Sequence, residues 1–227
     1  MMPQKELPRD FTEMLDRLAR SYLAETDPIR GSGFGGGAER WRAEREPILD
    51  GVSAHGDILD VGCANGYLLE CLVRWGSERG LRLTPHGVDR SAPLVERARA
   101  RLPAYAGNMH VGNAWSWPPP RRYDYVYALY DCVPPEYLKE FIGRLFDRAV
   151  AEGGRLIVGA YGSRSGGQPP FDVDGFLSAH GWSVSGRSAG GTPVVSLFAW
   201  VDKDAAAWQP GRTSMPSRQV RSHPSGR

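Results

Sequence analysis

"DILDVGCANGYLLECL", residues 57–72, holds an apolar run that stops at Gly62 and a second apolar pattern that starts four residues later. The first run suits a short buried strand, and "GYLLECLVRWGSERG" reads as a helix ending at Gly80. The link between them is only Cys63-Ala64-Asn65-Gly66. Small residues at such a turn let the backbone approach a ligand, and the amides of the helix's first turn point at it.

The same alternation continues downstream. "RLTPHGVD" is a second strand, and "SAPLVERARARL" a helix with Ser91 as N-cap and Pro93 in its first turn. "NMHVGNA" is a short third strand and "YDYVYALY", residues 123–130, an aromatic fourth. "PPEYLKEFIGRLFDRAVAEGG" is a helix with Pro at its start and Gly at its end, followed by a fifth strand, "RLIVGAY", residues 155–161. "FDVDGFLSAHG" is a short helix, and "WSVSGRS" and "TPVVSLFAWVD" are two strands whose separating "AGG" suits a hairpin. The expected fold is α/β: a seven-stranded, mostly parallel sheet with helices on both faces and a C-terminal antiparallel hairpin strand.

Upstream, "FTEMLDRLARSYLAE" is an amphipathic helix over residues 11–25, and five glycines follow between Gly31 and Gly37 as a linker or a closing loop. "ERWRAEREPILDGVSAHG" is a second helix bent at Pro47. The chain thus divides into an N-terminal helical lid or cap (1–53), a ligand-binding core (54–202) and a basic tail (203–227) expected to be disordered. The tail carries Lys203, Arg212, Arg218, Arg221 and Arg227 against Asp204 alone.

A formal net charge of +2 over 227 residues argues against a nucleic-acid or acidic-membrane partner. No stretch is long and apolar enough to span a bilayer. The three cysteines, Cys63, Cys71 and Cys132, match no zinc spacing, the histidines are scattered, and no secretory signal precedes them, so no metal and a cytoplasmic location are expected.

In a doubly wound sheet, ligands bind at the carboxyl ends of the strands. Gly62-x-x-x-Gly66 is neither G-x-G-x-x-G nor a P-loop, since no G-K-[ST] follows. Asp60 sits just before the turn, and Asp89 lies at the tip of the second strand, where a carboxylate can accept hydrogen bonds from both ribose hydroxyls of a nucleoside. Two acids beside the turn favour a positively charged nucleoside over a pyrophosphate. Each also has a plainer reading: Asp60 as a cap of the turn, Asp89 as a cap of the next helix.

These motifs resemble, in order, those of the class I S-adenosylmethionine-dependent methyltransferases. "ILDVGCANGYLL" looks like the glycine-rich first motif, "HGVDRS" the acidic second, "VGNAWSWPPPRRYDYVYALY" the third and fourth blocks, and "AEGGRLIVGAY" the fifth strand. The resemblance covers roughly residues 54–202 and implies a Rossmann-like fold with S-adenosyl-L-methionine as cofactor. It implies that Asp60 and Gly62, Cys63, Ala64, Asn65 and Gly66 hold the cofactor's amino-acid end and that Asp89 binds its ribose. Arg90 would flank the adenine, and Asn113, where the family often has Asp, would meet its exocyclic amine. Ala114 and Trp115 would border the ring, and Leu129 and Tyr130 would lie near the reacting methyl. Asn113 also reads as an ordinary turn residue.

For chemistry, Asp131 in "LYDCVPP" is the candidate base and Tyr161 the candidate orienting group. Asp131 also has the plainer reading of a helix N-terminal carboxylate beside Pro134, favoured by the dipole. Tyr22, Arg30, Phe34, Trp41 and Arg42 are the N-terminal residues expected to face the pocket; aromatic rings with arginine suit a flat or anionic acceptor. The resulting expectation is methyl transfer to an oxygen or nitrogen of a small molecule. An RNA or protein methyltransferase and a non-catalytic cofactor-binding protein are the alternatives.

Overall fold

The computed structural model describes residues 6–164 and 166–204. Its centre is one seven-stranded sheet of β1 (Gly56–Val61), β2 (Leu83–Asp89), β3 (Met109–Val111), β4 (Tyr123–Leu129), β5 (Val150–Tyr161), β6 (Gly186–Gly190) and β7 (Ser196–Asp202), in the order β3-β2-β1-β4-β5-β7-β6. Strands β1 to β5 are parallel; β7 pairs antiparallel to β5, and β6 antiparallel to β7. The helices are α1 (Arg9–Ala24), α2 (Ala38–Arg45), α3 (Tyr67–Glu78), α4 (Ala92–Arg101), α5 (Pro135–Arg148) and α6 (Val173–Ala179). The Rossmann-like α/β sheet with its antiparallel hairpin is the architecture expected from the alternation of strand and helix patterns.

Strand alternation sorts the core into two layers. Leu59 and Val61 of β1 pack with Phe141, Ile142 and Leu145 of α5, while Ile58 packs with Leu69, Leu72 and Trp75 of α3. The buried face of α5 repeats at helical spacing (Tyr137, Leu138, Phe141, Ile142, Leu145), and each such side chain contributes about 1.5–3 kcal/mol by leaving water.

Three elements depart from expectation, each for a local reason. Strand β5 starts at Val150, not Arg155, because Gly153 (φ +76°) and Gly154 form an irregularity inside the strand rather than a helix stop. In the final hairpin, Ala189 and Gly190 pair with Leu197 and Ser196, so the turn falls at residues 191–195. A Cβ at Gly190 would lie 2.7 Å from the Ala43 carbonyl oxygen, so this glycine serves close packing. Lys203, expected to open the tail, is buried and donates to the carbonyls of Phe146 (2.8 Å), Asp147 (3.2 Å) and Val150 (3.0 Å). It thereby caps the C-terminus of α5. The rest of the expected tail, from residue 205 on, lies outside the described residues. No helix among the described residues is long and apolar enough to cross a membrane.

Candidate active site

The strand order reverses between β1 and β4, and a crevice opens at the carboxyl ends of these strands. Two neighbouring spaces occupy it. One is a small pocket of about 90 Å³ beside the tips of β2 and β3; the other is a chamber of about 620 Å³ over β1, β4 and β5. Gly62 and Tyr22 line both.

The turn after β1 is built from alternate left-handed residues: Gly62 (φ +92°), Ala64 (φ +45°) and Gly66 (φ +73°). A non-glycine residue in this region costs of order 1–2 kcal/mol unless its surroundings hold it. Ala64 is held by Asp89, whose Oδ2 accepts from the Ala64 amide at 3.0 Å while Oδ1 accepts from the Ser91 amide at 2.8 Å. Asp89 therefore fixes the turn and the start of α4 together. Burial raises its carboxyl above the ordinary range, and these two amides oppose that.

The small pocket is floored by Val88, Asp89 and Leu94, walled by Asn113 and Ala114, and roofed by Leu15 and Leu18 of α1. Helix α1 has no fully buried residue, and Leu18 remains 40% exposed, so its apolar stripe is spent over the pocket rather than in the core. Two arginines hold it there. Arg90 donates to the Thr12 carbonyl (2.9 Å) and Asp16 Oδ1 (2.7 Å). Arg97 donates to the carbonyls of Tyr22 (3.3 Å), Leu23 (2.6 Å) and Glu25 (2.9 Å), satisfying the helix's last acceptors.

In the chamber, Asp60 is 3% exposed, and its carboxylate accepts no hydrogen bond from the described residues. Burial first, and the charge of Asp89 second, push it up to about 7. Its strand partner Tyr127 shares a hydroxyl–hydroxyl hydrogen bond of 2.9 Å with Tyr161. Asp131 follows β4, opens onto the chamber, and has its carboxyl raised by the protein packed around it.

The opposite wall comes from α2 and the β5–α6 connection. The Arg45 guanidinium is surrounded by the rings of Phe34 (4.2 Å), Trp41 (4.3 Å) and Tyr161 (4.2 Å). Buried Glu44 accepts from Arg164 (3.1 Å), Arg40 (3.3 Å) and Arg45 (3.3 Å).

The expected site residues divide accordingly. Asp60, Gly62, Cys63, Ala64, Leu129, Asp131 and Tyr161 meet at the chamber, and Asp89, Arg90, Asn113 and Ala114 at the small pocket. Asn113 is also a turn residue, its Oδ1 accepting from the Trp115 amide at 2.9 Å. Trp115 is buried against Tyr137. Asn65, Gly66 and Tyr130 line neither space. Asn65 is buried and bonded to Ser32 and to the Pro28 carbonyl, Gly66 abuts Ala98, and Tyr130 stacks on Phe171 at 4.7 Å. Of the N-terminal candidates, Tyr22, Phe34 and Trp41 line the chamber. Arg30 is exposed, and Arg42 turns outward to Glu46 and Glu78. Arg45, absent from the expected set, takes the place given to Arg42. The signal was present: Trp41, Glu44 and Arg45 fall on one helical face, and Arg42 does not. Among the described residues, no group of His, Cys, Asp and Glu has the arrangement of a metal site.

Comparison with known proteins agrees with this fold. Residues 58–154 match the family model described as "Methyltransferase domain". A trans-aconitate 2-methyltransferase of Rhodopseudomonas palustris is 34% identical over 93 residues, which span 39% of this chain and 34% of that relative's length. The crystal structure of the 1,6-didemethyltoxoflavin-N1-methyltransferase of Burkholderia thailandensis, with 1,6-didemethyltoxoflavin and S-adenosylhomocysteine bound, is similar in fold. Its TM-score is 0.60 at 16% identity, covering 90% of this chain and 93% of that one. An S-adenosylmethionine-dependent methyltransferase of Aquifex aeolicus gives a TM-score of 0.55 at 18% identity, covering 82% and 98%. The match identifies residues 58–154 as a methyltransferase domain, of the class I S-adenosylmethionine-dependent kind.

Proposed function

We propose that the protein transfers a methyl group from S-adenosyl-L-methionine to an oxygen or nitrogen of a small-molecule acceptor, in the cytoplasm. The observation that carries this reading is the pair of neighbouring spaces that share Gly62 and Tyr22 in their walls. The first is apolar and edged by a carboxylate, as a nucleoside requires. The second is closed by α2 and the glycine loop and is of small-molecule size.

The residues present fit the cofactor. Asp60 is a buried carboxylate that accepts no hydrogen bond from the described residues, beside a turn whose Gly62 lines the chamber, and it suits an ammonium group. Asp89 keeps lone pairs beyond its two amide bonds for ribose hydroxyls, and Asn113 and Ala114 would border the adenine. Arg90 contributes by holding α1 over the base, and Asn65 and Gly66 by shaping the turn. Tyr130 acts through its stacking on Phe171. The cofactor, when bound, supplies an electrophilic methyl on a sulfonium.

The protein's own part is to align the acceptor and exclude water. Asp131, with its raised carboxyl, is suited to take a proton from a hydroxyl or ammonium acceptor. Tyr161, kept as a neutral phenol by burial, is suited to donate a hydrogen bond.

Calorimetry with S-adenosylhomocysteine, followed by a screen of labelled methyl transfer into a metabolite extract, tests the reading. Binding and labelling are expected for the wild type, with both reduced in Asp89→Ala. Absence of binding overturns it, and labelling of RNA or protein fractions in place of small molecules redirects it.

A further inference from the structure

The chamber's charge is divided. Asp60 and Asp131 line it at the ends of β1 and β4, while Arg40, Arg45 and Arg164 line the side formed by α2 and the β5–α6 connection. Arg45 stands out within this set. It is 6% exposed yet makes one hydrogen bond among the described residues, a 3.3 Å contact with its neighbour Glu44. A guanidinium offers five N–H donors. Arg45 lines the chamber, and a buried charge with most donors unmatched by protein is costly unless a partner satisfies them.

The centroids of three aromatic rings lie 4.2–4.3 Å from the guanidinium carbon, so apolar surface crowds the group. Arg45 lines the chamber, and the N–H edge of a guanidinium matches the two oxygens of a planar carboxylate in one plane. Glu44 does not fill that role for Arg45, because it also accepts from Arg40 and Arg164. The three arginines exceed it in charge.

We propose that the methyl acceptor is a carboxylate-bearing small molecule, anchored at the N–H edge of Arg45 with Arg40 and Arg164 supplying the surrounding positive field. This rests on the small-molecule reading above and names the acceptor's class. Phe34, Trp41 and Tyr161 hold the guanidinium rigid and offer flat surface to the rest of the acceptor. Arg45 is here a binding residue for the acceptor, distant in role from Asp60 and Asp89, which serve the cofactor.

The experiment separates this inference from the reading beneath it. A metabolite extract is passed over an anion-exchange resin, and labelled methyl transfer is measured into the flow-through and into the salt eluate, the latter with and without phosphatase treatment. Labelling in the eluate that survives phosphatase is expected. The variants Arg45→Lys and Arg45→Ala should lower that labelling at least tenfold, while the dissociation constant for S-adenosylhomocysteine changes by less than twofold. Labelling confined to the flow-through, or lost with phosphatase, overturns the carboxylate assignment and leaves methyl transfer standing. Undiminished labelling by a folded Arg45→Lys overturns the role of Arg45. No labelling in any fraction by cofactor-loaded protein overturns the methyl-transfer reading and this inference with it.

Discussion

Ser32 Oγ donates to Asn65 Oδ1 at 2.9 Å, joining the N-terminal glycine loop to the turn after β1 across 33 positions of sequence. The same Oδ1 accepts from the Tyr67 amide at 3.0 Å, and Nδ2 donates to the Pro28 carbonyl at 3.0 Å. Asn65 thus links the N-terminal segment, the turn and the helix start with one buried amide, 2% exposed.

Asn65→Ala leaves the Tyr67 amide and the Pro28 carbonyl without this partner. The expected cost is about 1–3 kcal/mol of stability, with cofactor affinity falling because the N-terminal segment and the turn lose their common tie. Thermal melts of the apo protein and calorimetry with S-adenosylhomocysteine check it. Ser32→Ala removes one of the three bonds and should cost less. Equal affinity in wild type and Asn65→Ala would show the tie to be irrelevant to binding.

Ala64→Gly removes a side chain from a left-handed position (φ +45°). Relief of the left-handed penalty, about 1–2 kcal/mol, competes with the greater freedom of glycine in the unfolded chain, about 0.5–1 kcal/mol. A small net gain is expected, seen as a rise in Tm of roughly 1–4 °C. Cofactor affinity should be unchanged within a factor of two, since the Ala64 amide, which bonds Asp89, is retained. A lower Tm would mean that the methyl group packs usefully.

The strands and helices were readable because apolar periodicity and helix caps are local. Ser91 does stand at the N-cap of α4, and Gly80 (φ +76°) does close α3. The two acids stood out because a carboxylate at a strand end is conspicuous in a short pattern, and the structure places Asp60 at the chamber and Asp89 at the small pocket. What escaped depended on partners far away in sequence. Arg90 lines the small pocket as expected of an adenine neighbour, but its bond to Asp16, 74 positions earlier, has no local signal. Gly153 and Gly154 looked like a helix stop, yet they sit where β4 and β5 change register, a pairing local sequence does not announce. Arg45 escaped because only tertiary packing brings Phe34, Trp41 and Tyr161 around it.

Arg97 reaches three carbonyls at the end of α1 from the middle of α4, yet the core clusters include no residue of α1. Arg97→Ala should therefore loosen α1 and spare the sheet. Limited proteolysis is expected to cut within residues 9–24 at least tenfold faster, with a Tm change below about 3 °C. Bound S-adenosylhomocysteine should slow the cut if α1 closes over it. Unchanged cutting would show that Arg90 and the apolar stripe suffice to hold the helix.

Asp60 makes apo stability depend on pH in the direction opposite to a paired carboxylate. In the unfolded chain it titrates near 4, and in the fold it is pushed up to about 7. Between those values the native state holds the proton and the unfolded state does not, so stability falls as pH rises from about 4 to about 7. Above 7 the penalty of the buried charge is fully present. Asp60→Asn removes this contribution. At pH 8 the apo variant should melt above the wild type by at least about 4 °C, with the difference shrinking as pH falls through 7 toward 4. Binding should move the other way: wild-type affinity for S-adenosylhomocysteine weakens on acidification through 7 as Asp60 takes up its proton. The variant should bind at least tenfold more weakly at pH 8, with little pH dependence from this position. Melts across pH 5–8 and calorimetry at pH 6 and 8 measure both trends. An apo Asp60→Asn that melts below the wild type at pH 8 would mean that a partner within the fold already compensates the charge.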